Sequence, residues 1–180
     1  MGKWSDSPRV GLFGLLTYGA IFGLFFHYTY NVEVKNTCTA IDSSDTASYK
    51  DGDVDASQKF QTVLMMYTWT FFIGIIREFL RTTNDKLNSD IVKGVINFFF
   101  LAELVQLAAL IMMHVYRLQH SGKVCAGDYL NDDEFEKADE GNLYLISRGK
   151  FLWGWLILNW TILGLCGCLN ITIFMCKKFQ

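Results

Sequence analysis

The sequence predicts an all-α membrane protein: a four-transmembrane-helix antiparallel bundle with N and C termini cytoplasmic and two ordered exoplasmic loops. Three observations predict it. Hydrophobic residues make up 51% of the 180-residue chain, and they gather into four long runs instead of spreading at a helix or strand period. Each run reaches the ~20 mostly apolar residues that a helix needs to cross a hydrocarbon core ~30 Å thick. The runs are also too long, and too poor in apolar/polar alternation, to be strands of a membrane barrel. A single domain over residues 1–180 follows, with spans at about 10–30, 60–80, 95–116 and 151–175 and exoplasmic loops at 31–59 and 117–150.

The first run, Val10–Tyr30, follows Lys3 and Arg9 as a signal peptide would. It exceeds the length of a signal h-region, and Phe26-His27-Tyr28-Thr29-Tyr30 is no small-residue cleavage site, so it reads as a retained span. The second, Phe60–Leu80, is diluted by Gln61, Thr62, Thr68 and Thr70 and has Arg77 and Glu78 crowding its end. The third, Val95–Tyr116, and the fourth, Phe151–Met175, are strongly apolar.

Four spans place the N-terminal segment, the 77–93 loop and the tail on one side. That side holds eight of the 16 Lys and Arg in about half as many residues as the other side uses for its eight. The denser positive charge makes it the cytoplasmic side. Thirteen carboxylates fall on the opposite face, which reads as acidic and hydrophilic. Tyr28, Tyr30, Tyr116, Trp153 and Trp155 collect near the outer span ends, where amphipathic rings favour the headgroup level.

Cys38 and Cys125 are the only cysteines in the exoplasmic loops, one in each, and an oxidising compartment leaves them free to pair. One bridge between the two loops is expected; two free thiols, or pairing to partner chains, is the alternative. Cys176, beside Lys177 and Lys178, offers a palmitoylation position. The ending Lys177-Lys178-Phe179-Gln180 has the spacing of an endoplasmic-reticulum retrieval signal, although two lysines after a last span are ordinary positive-inside residues. Localisation is therefore expected in the plasma membrane or an endomembrane vesicle, with endoplasmic reticulum or Golgi as the alternative. Asp51, Asp53 and Asp55 alternate as calcium-loop ligands do, but Ala56 and Thr62 stand where the EF-hand pattern wants Gly and Glu. A solvated acidic loop is the preferred reading, and no metal is expected.

Glu103 most needs explaining. A charge at mid-span costs ~2.5–3.5 kcal/mol on insertion scales, so its side chain is expected to face protein. Gln106, one turn on, shares its face. With Tyr18, Thr68, Thr70, Asn159 and Thr161 at matching depth, an internal hydrogen-bonded polar layer is expected. The sequence shows no chain of further acids and no basic partner for Glu103, which favours glue between helices over an ion relay. His27 and His114 approach the same border and raise the further reading of a haem-binding redox protein, although interfacial histidines are the simpler one. Gly19-x-x-x-Gly23 and Gly164-x-x-x-Cys168 line up small residues for close helix packing, either first span against fourth or between subunits.

The four-span layout with cytoplasmic ends, together with the third-span run Phe98-Phe99-Phe100-Leu101-Ala102-Glu103-Leu104, resembles the MARVEL-type tetraspan proteins, the group of synaptophysin-like and occludin-like proteins. The Trp-Gly-Leu-Trp-x-x-Cys-x-x-Cys pattern of claudins and the Cys-Cys-Gly of tetraspanins are absent. The resemblance implies membrane organisation, vesicle trafficking or assembly with other membrane proteins. No nucleophile elbow, phosphate loop, zinc spacing or redox Cys-x-x-Cys is present, so no enzyme activity is expected. The expected function is that of a non-enzymatic structural or scaffolding protein that self-associates or joins a larger membrane complex. An accessory subunit or small channel or transporter using Glu103 is the alternative. Expected partners are membrane lipids, held as bound lipids, and other membrane proteins; no cofactor and no nucleic acid is expected.

Overall fold

In a computed structural model of the chain, residues 8–41, 52–87, 90–99, 101–130 and 143–178 are described, with side chains described outside 8–11, 84–87 and 166–178. The structure is mostly helical. Helix α1 covers Pro8–Tyr30, α2 Ala56–Leu87, α3 Asp90–Phe98, α4 Leu101–Leu118, α5 His120–Cys125 and α6 Ile146–Lys178. Two short strands, β1 (Thr39–Ala40) and β2 (Val54–Asp55), pair antiparallel with Thr39 opposite Asp55 and Ala40 opposite Val54. Pro8 opens α1, where a missing N–H costs nothing and the fixed φ suits a first turn.

Three helical stretches are long and apolar enough to cross a membrane: Leu12–Tyr30, Ala56–Thr83 and Asp90–Leu118. The second is longer than the 60–80 run suggested, because Asp55 caps the start of α2 by accepting the Gln58 amide at 3.0 Å, while Thr residues along the helix return their hydroxyls to carbonyls one turn back. Within the third, α3 ends at Phe98, a turn stands at Phe99, whose amide still bonds the Val95 carbonyl, and the Ala102 amide bonds the Phe99 carbonyl as α4 begins. Helix α6 starts at Ile146, ahead of the apolar run at 151.

Helix α2 is the centre of the assembly. It packs along α1 on one side and α4 on the other, and its Phe60, Val63, Leu64, Tyr67 and Phe71 are buried. The core lies at the disulfide-bearing end and is aromatic. Phe25, 0% exposed, is the hub: its ring centroid lies 4.9 Å from Tyr67, 5.3 Å from Phe71, 4.9 Å from Phe151 and 5.0 Å from Trp155. Tyr28 stacks on Phe151 at 4.0 Å. Such pairs contribute ~0.5–1.5 kcal/mol each through dispersion and quadrupole terms. These forces still act where the surroundings are as apolar as the core and the hydrophobic effect between helices vanishes.

Among the described residues of the chain, Gly19, Gly23 and Gly164 do not pack against another helix, which leaves a contact between subunits as the expectation for them. A Cβ built at each of these three meets no atom within 4 Å, whereas one at Gly74 lies 2.6 Å from the Tyr18 ring and one at Gly14 lies 3.1 Å from Glu78 Oε2. The close approach is therefore α1 against α2. The physical reason is that bulky Tyr18 needs a side-chain-free surface opposite it, and Gly74 supplies it. Cys168 lies in α6, outside the described side chains.

Candidate functional site

Two polar constellations stand out, one along the helices and one at the disulfide-bearing end. The first is built on Glu103. It sits in the first turn of α4, where the exposed amides of a helix start favour an anion. Arg77 of α2 reaches it: Nη1 donates to Glu103 Oε1, and Nη2 donates to the Tyr18 hydroxyl of α1 at 3.1 Å. Arg77 Nε also lies 3.7 Å from the buried carboxylate of Glu78. One guanidinium thus joins three helices and lies beside two acids. Tyr18, Thr70, Arg77, Glu103 and Gln106 line a cavity of about 10 Å³, roughly the space of one water. A larger cavity of about 350 Å³, bordered by Tyr18, Gln106, Trp155 and Asn159, lies between α1, α4 and α6.

Only part of the expected polar layer assembles here. Glu103, Tyr18, Thr70 and Gln106 come together. Thr68 belongs elsewhere: it is buried against Thr29 of α1, hydroxyl to hydroxyl at 2.9 Å. Asn159 donates to the Trp155 carbonyl and Thr161 to the Ile157 carbonyl, each one turn back on its own helix. The antiparallel register explains this. Lys59 meets Gln119 and Arg77 meets Glu103, so Thr68 is level with residues well toward the disulfide from Glu103. Glu103 faces Arg77 of α2 but stays partly open. Its side chain is 48% exposed, and Arg77 is 20% exposed. A basic partner does exist, contrary to the sequence reading. Arg77 was counted with the positive charges of the 77–93 loop because it stands at the end of its apolar run, yet α2 continues for ten residues beyond it.

The second constellation ties the loops to the helix ends. Cys38 and Cys125 form a disulfide with Cα atoms 5.8 Å apart, closing a sequence separation of 87. Around it, the Ala56 amide bonds the Cys38 carbonyl, the Leu145 amide bonds the Cys125 carbonyl, and Asn36 Nδ2 donates to the Tyr144 carbonyl at 2.7 Å. Glu33 takes a left-handed backbone conformation (φ 48°), and its carboxylate accepts the Ser147 and Arg148 amides at 2.7 and 3.0 Å, capping the start of α6. Arg148, 2% exposed, donates from Nε to the Tyr28 carbonyl and from Nη2 to the Thr29 carbonyl, closing the end of α1. Burial pushes the Arg148 guanidinium below its ordinary value, and Glu33 opposes that shift. Buried Arg117 grips both Asp128 oxygens at 2.7 Å, donates to the Gly149 carbonyl at 3.0 Å and lies 5.6 Å over the Trp153 ring. Gly127, at φ 78°, makes the turn that brings Asp128 back to Arg117.

Arg117, Arg148 and Glu33 were not singled out in the sequence, and Arg77 was noted only for crowding the end of its run. The one signal for the arginines is that they adjoin apolar runs whose ends leave carbonyls to be satisfied. Of the calcium candidates, Asp51 lies outside the described residues, Asp53 is exposed, and Asp55 serves as the α2 cap. Among the described residues no group of three or more His, Cys, Asp or Glu could hold a metal. His27 contacts Asn31, in the turn just past its own helix, at 3.4 Å, whereas His114 Nε2 accepts the Trp160 indole N–H at 2.7 Å. The Cys176 side chain, with those of Lys177 and Lys178, lies outside the described residues, as do Phe179 and Gln180. Comparison of the chain with known protein families, with characterised proteins and with solved structures finds no match.

Proposed function

We propose that the protein is a four-span structural or scaffolding membrane protein of MARVEL-like organisation, which self-associates or assembles with other membrane proteins and carries bound lipid. Helix α6 is the fourth span: its 33 residues extend roughly 50 Å at 1.5 Å per residue, more than a bilayer core requires. The disulfide end faces outside or a lumen, and the termini face the cytoplasm.

The observation that carries this reading is the use made of polar chemistry. Arg77, Arg117, Arg148, Glu33 and the Cys38–Cys125 bridge each join segments distant in sequence. Arg117, Arg148, Glu33 and the bridge make a braced outer cap, a platform for recognition, above helices joined by Arg77, whose Leu12, Leu16, Leu104, Ile111 and Ile157 remain exposed for lipid or neighbouring helices. Native mass spectrometry after mild-detergent extraction tests it. A homo-oligomer or a heteromeric complex is expected; a monomer at all concentrations refutes it.

A second reading, an accessory subunit or small channel or transporter, is favoured by one specific observation: the Arg77–Glu103–Tyr18 cluster beside a one-water cavity, with Glu78 adjacent. In this reading Glu103 binds the transported proton or cation. Ion flux into liposomes that Glu103→Gln abolishes, with assembly intact, would decide for it. Flux unchanged by the substitution, or no flux at all, leaves the cluster as a brace between helices.

A further inference from the structure

Just outside the α4–α6 contact lies a cavity of about 620 Å³ that the proposed function does not use. Its floor is apolar: Leu118 ends α4, and Trp153, 42% exposed, lies on α6. Its upper wall is basic. Lys123 is half-buried on α5 and makes no ion pair among the described residues. Lys150, which keeps a partner of its own within the chain, adds a second positive charge. Arg117 and Asp128 also line the cavity but neutralise each other through their two-pronged pair, which leaves Lys123 as the lining cation that makes no ion pair among the described residues. Below the floor, exposed Val115 and Ile111 continue down α4, and exposed Ile157 and Trp160 continue down α6.

From this sequence of surfaces we infer that the cavity is a specific site for an anionic phospholipid of the outer leaflet. Its phosphate sits at Lys123, and an acyl chain lies along the α4–α6 face. The inference rests on the reading that these helices span a bilayer and names one lipid class for it. Three features select that occupant over a soluble anion or a peptide. Lys123 borders a cavity floored by Leu118 and Trp153, with exposed Val115, Ile111 and Ile157 further along the same helices, the arrangement of a phospholipid and not of a free phosphate. An indole marks the boundary between the two, as interfacial tryptophan does. The Arg117–Asp128–Trp153 assembly holds the boundary rigid, because the guanidinium is fixed by Asp128, by the Gly149 carbonyl and by the ring beneath it. A cation near an anionic lipid surface contributes ~1 kcal/mol, which is about fivefold in affinity.

Full-length protein reconstituted in vesicles, with brominated phosphatidylglycerol or brominated phosphatidylcholine added in rising proportion, tests the site through tryptophan quenching. A Trp153→Phe variant identifies the contribution of Trp153. The expected result is that the anionic lipid quenches Trp153 at a several-fold lower mole fraction, and that Lys123→Gln and Lys123→Glu reduce that preference about fivefold or more. Equal quenching by the two lipids, or a preference that neither Lys123 variant alters, overturns the site. Two variants guard against misfolding, and an intact Cys38–Cys125 bridge on a non-reducing digest confirms each. A chain that alkaline carbonate strips from the vesicles overturns the membrane reading and the site with it. A chain that stays inserted without lipid preference overturns the site alone.

Discussion

Replacing Arg148 with methionine keeps the length of the side chain and removes its charge and donors. In the folded protein Arg148 is 2% exposed and donates 3.1 and 3.0 Å bonds to the carbonyls of Tyr28 and Thr29, in the last turn of α1. Those carbonyls have no partner within the helix. Thr29 keeps a second donor, Gln61 Nε2 at 3.2 Å, so the substitution strands chiefly the Tyr28 carbonyl. A stranded buried acceptor costs about 1–3 kcal/mol. Losing a cation at a helix C-terminus costs up to about 2 kcal/mol in a buried setting. Relief of the buried charge offsets part of this, leaving an expected loss of about 3 kcal/mol. For a chain of this size that corresponds to a drop of roughly 6–12 °C in Tm, read by tryptophan fluorescence during heating in detergent. Arg148→Lys, which reaches one carbonyl and not both, is expected to lose about half as much. The loss has no pH dependence between about pH 5 and 9, because an arginine stays charged there. The sign agrees: burial depresses the folded-state value, so folding favours proton loss only at pH above that range. A Tm within about 2 °C of the parent for Arg148→Met would refute the view that this guanidinium fastens α6 to the end of α1.

Cys38→Ser or Cys125→Ser opens a loop of sequence separation 87 and is expected to remove up to about 4–5 kcal/mol, less where inserted helices already confine the chain. Denaturation of the parent with and without reductant measures the same quantity. Gly74→Leu collides with the Tyr18 ring and is expected to cost about 2–3 kcal/mol by parting α1 from α2, whereas Gly19→Leu and Gly23→Leu stay near parent stability in detergent-unfolding titrations. Arg77→Met and Glu103→Gln, with the double variant, form a cycle whose coupling is expected at about 1–2 kcal/mol, because the pair is half open to its surroundings. A coupling near zero would show that the two charges do not support each other. Trp160→Phe removes the donor to His114 and is expected to loosen α6 from α4 by about 1 kcal/mol, with enhanced hydrogen exchange in that part of α4 as the readout.

Much of the fold was legible because run length is a one-dimensional property. The apolar stretches ending near Tyr30, Leu80 and Tyr116 became the helical stretches Leu12–Tyr30, Ala56–Thr83 and Asp90–Leu118. Cys38 and Cys125 were legible as a pair by location, one in each long loop. The turn at Phe99 was not, since Phe99 continues the apolar run without interruption. Nor was the partner of Glu103. Choosing Arg77 over Thr68 or Asn159 requires the register of α2 against α4, which depends on how side chains interlock and not on where each run begins. The glycine pairs named no partner for a related reason. Gly19 and Gly23 permit close approach, but only the helix actually opposite decides whether it occurs, and the ring of Tyr18 seated on Gly74 set that choice.

What the sequence determined by itself was the set of segments that avoid water and the pairing available to two loop cysteines, because transfer of apolar surface and the presence of a thiol depend on local composition. Tertiary structure alone decided which charges meet, which carbonyls Arg117 and Arg148 satisfy, and where a half-buried lysine borders a cavity floored by Leu118 and Trp153. Those contacts join residues dozens of positions apart. Their energies depend on distances of a few ångströms that exist only once the helices have packed.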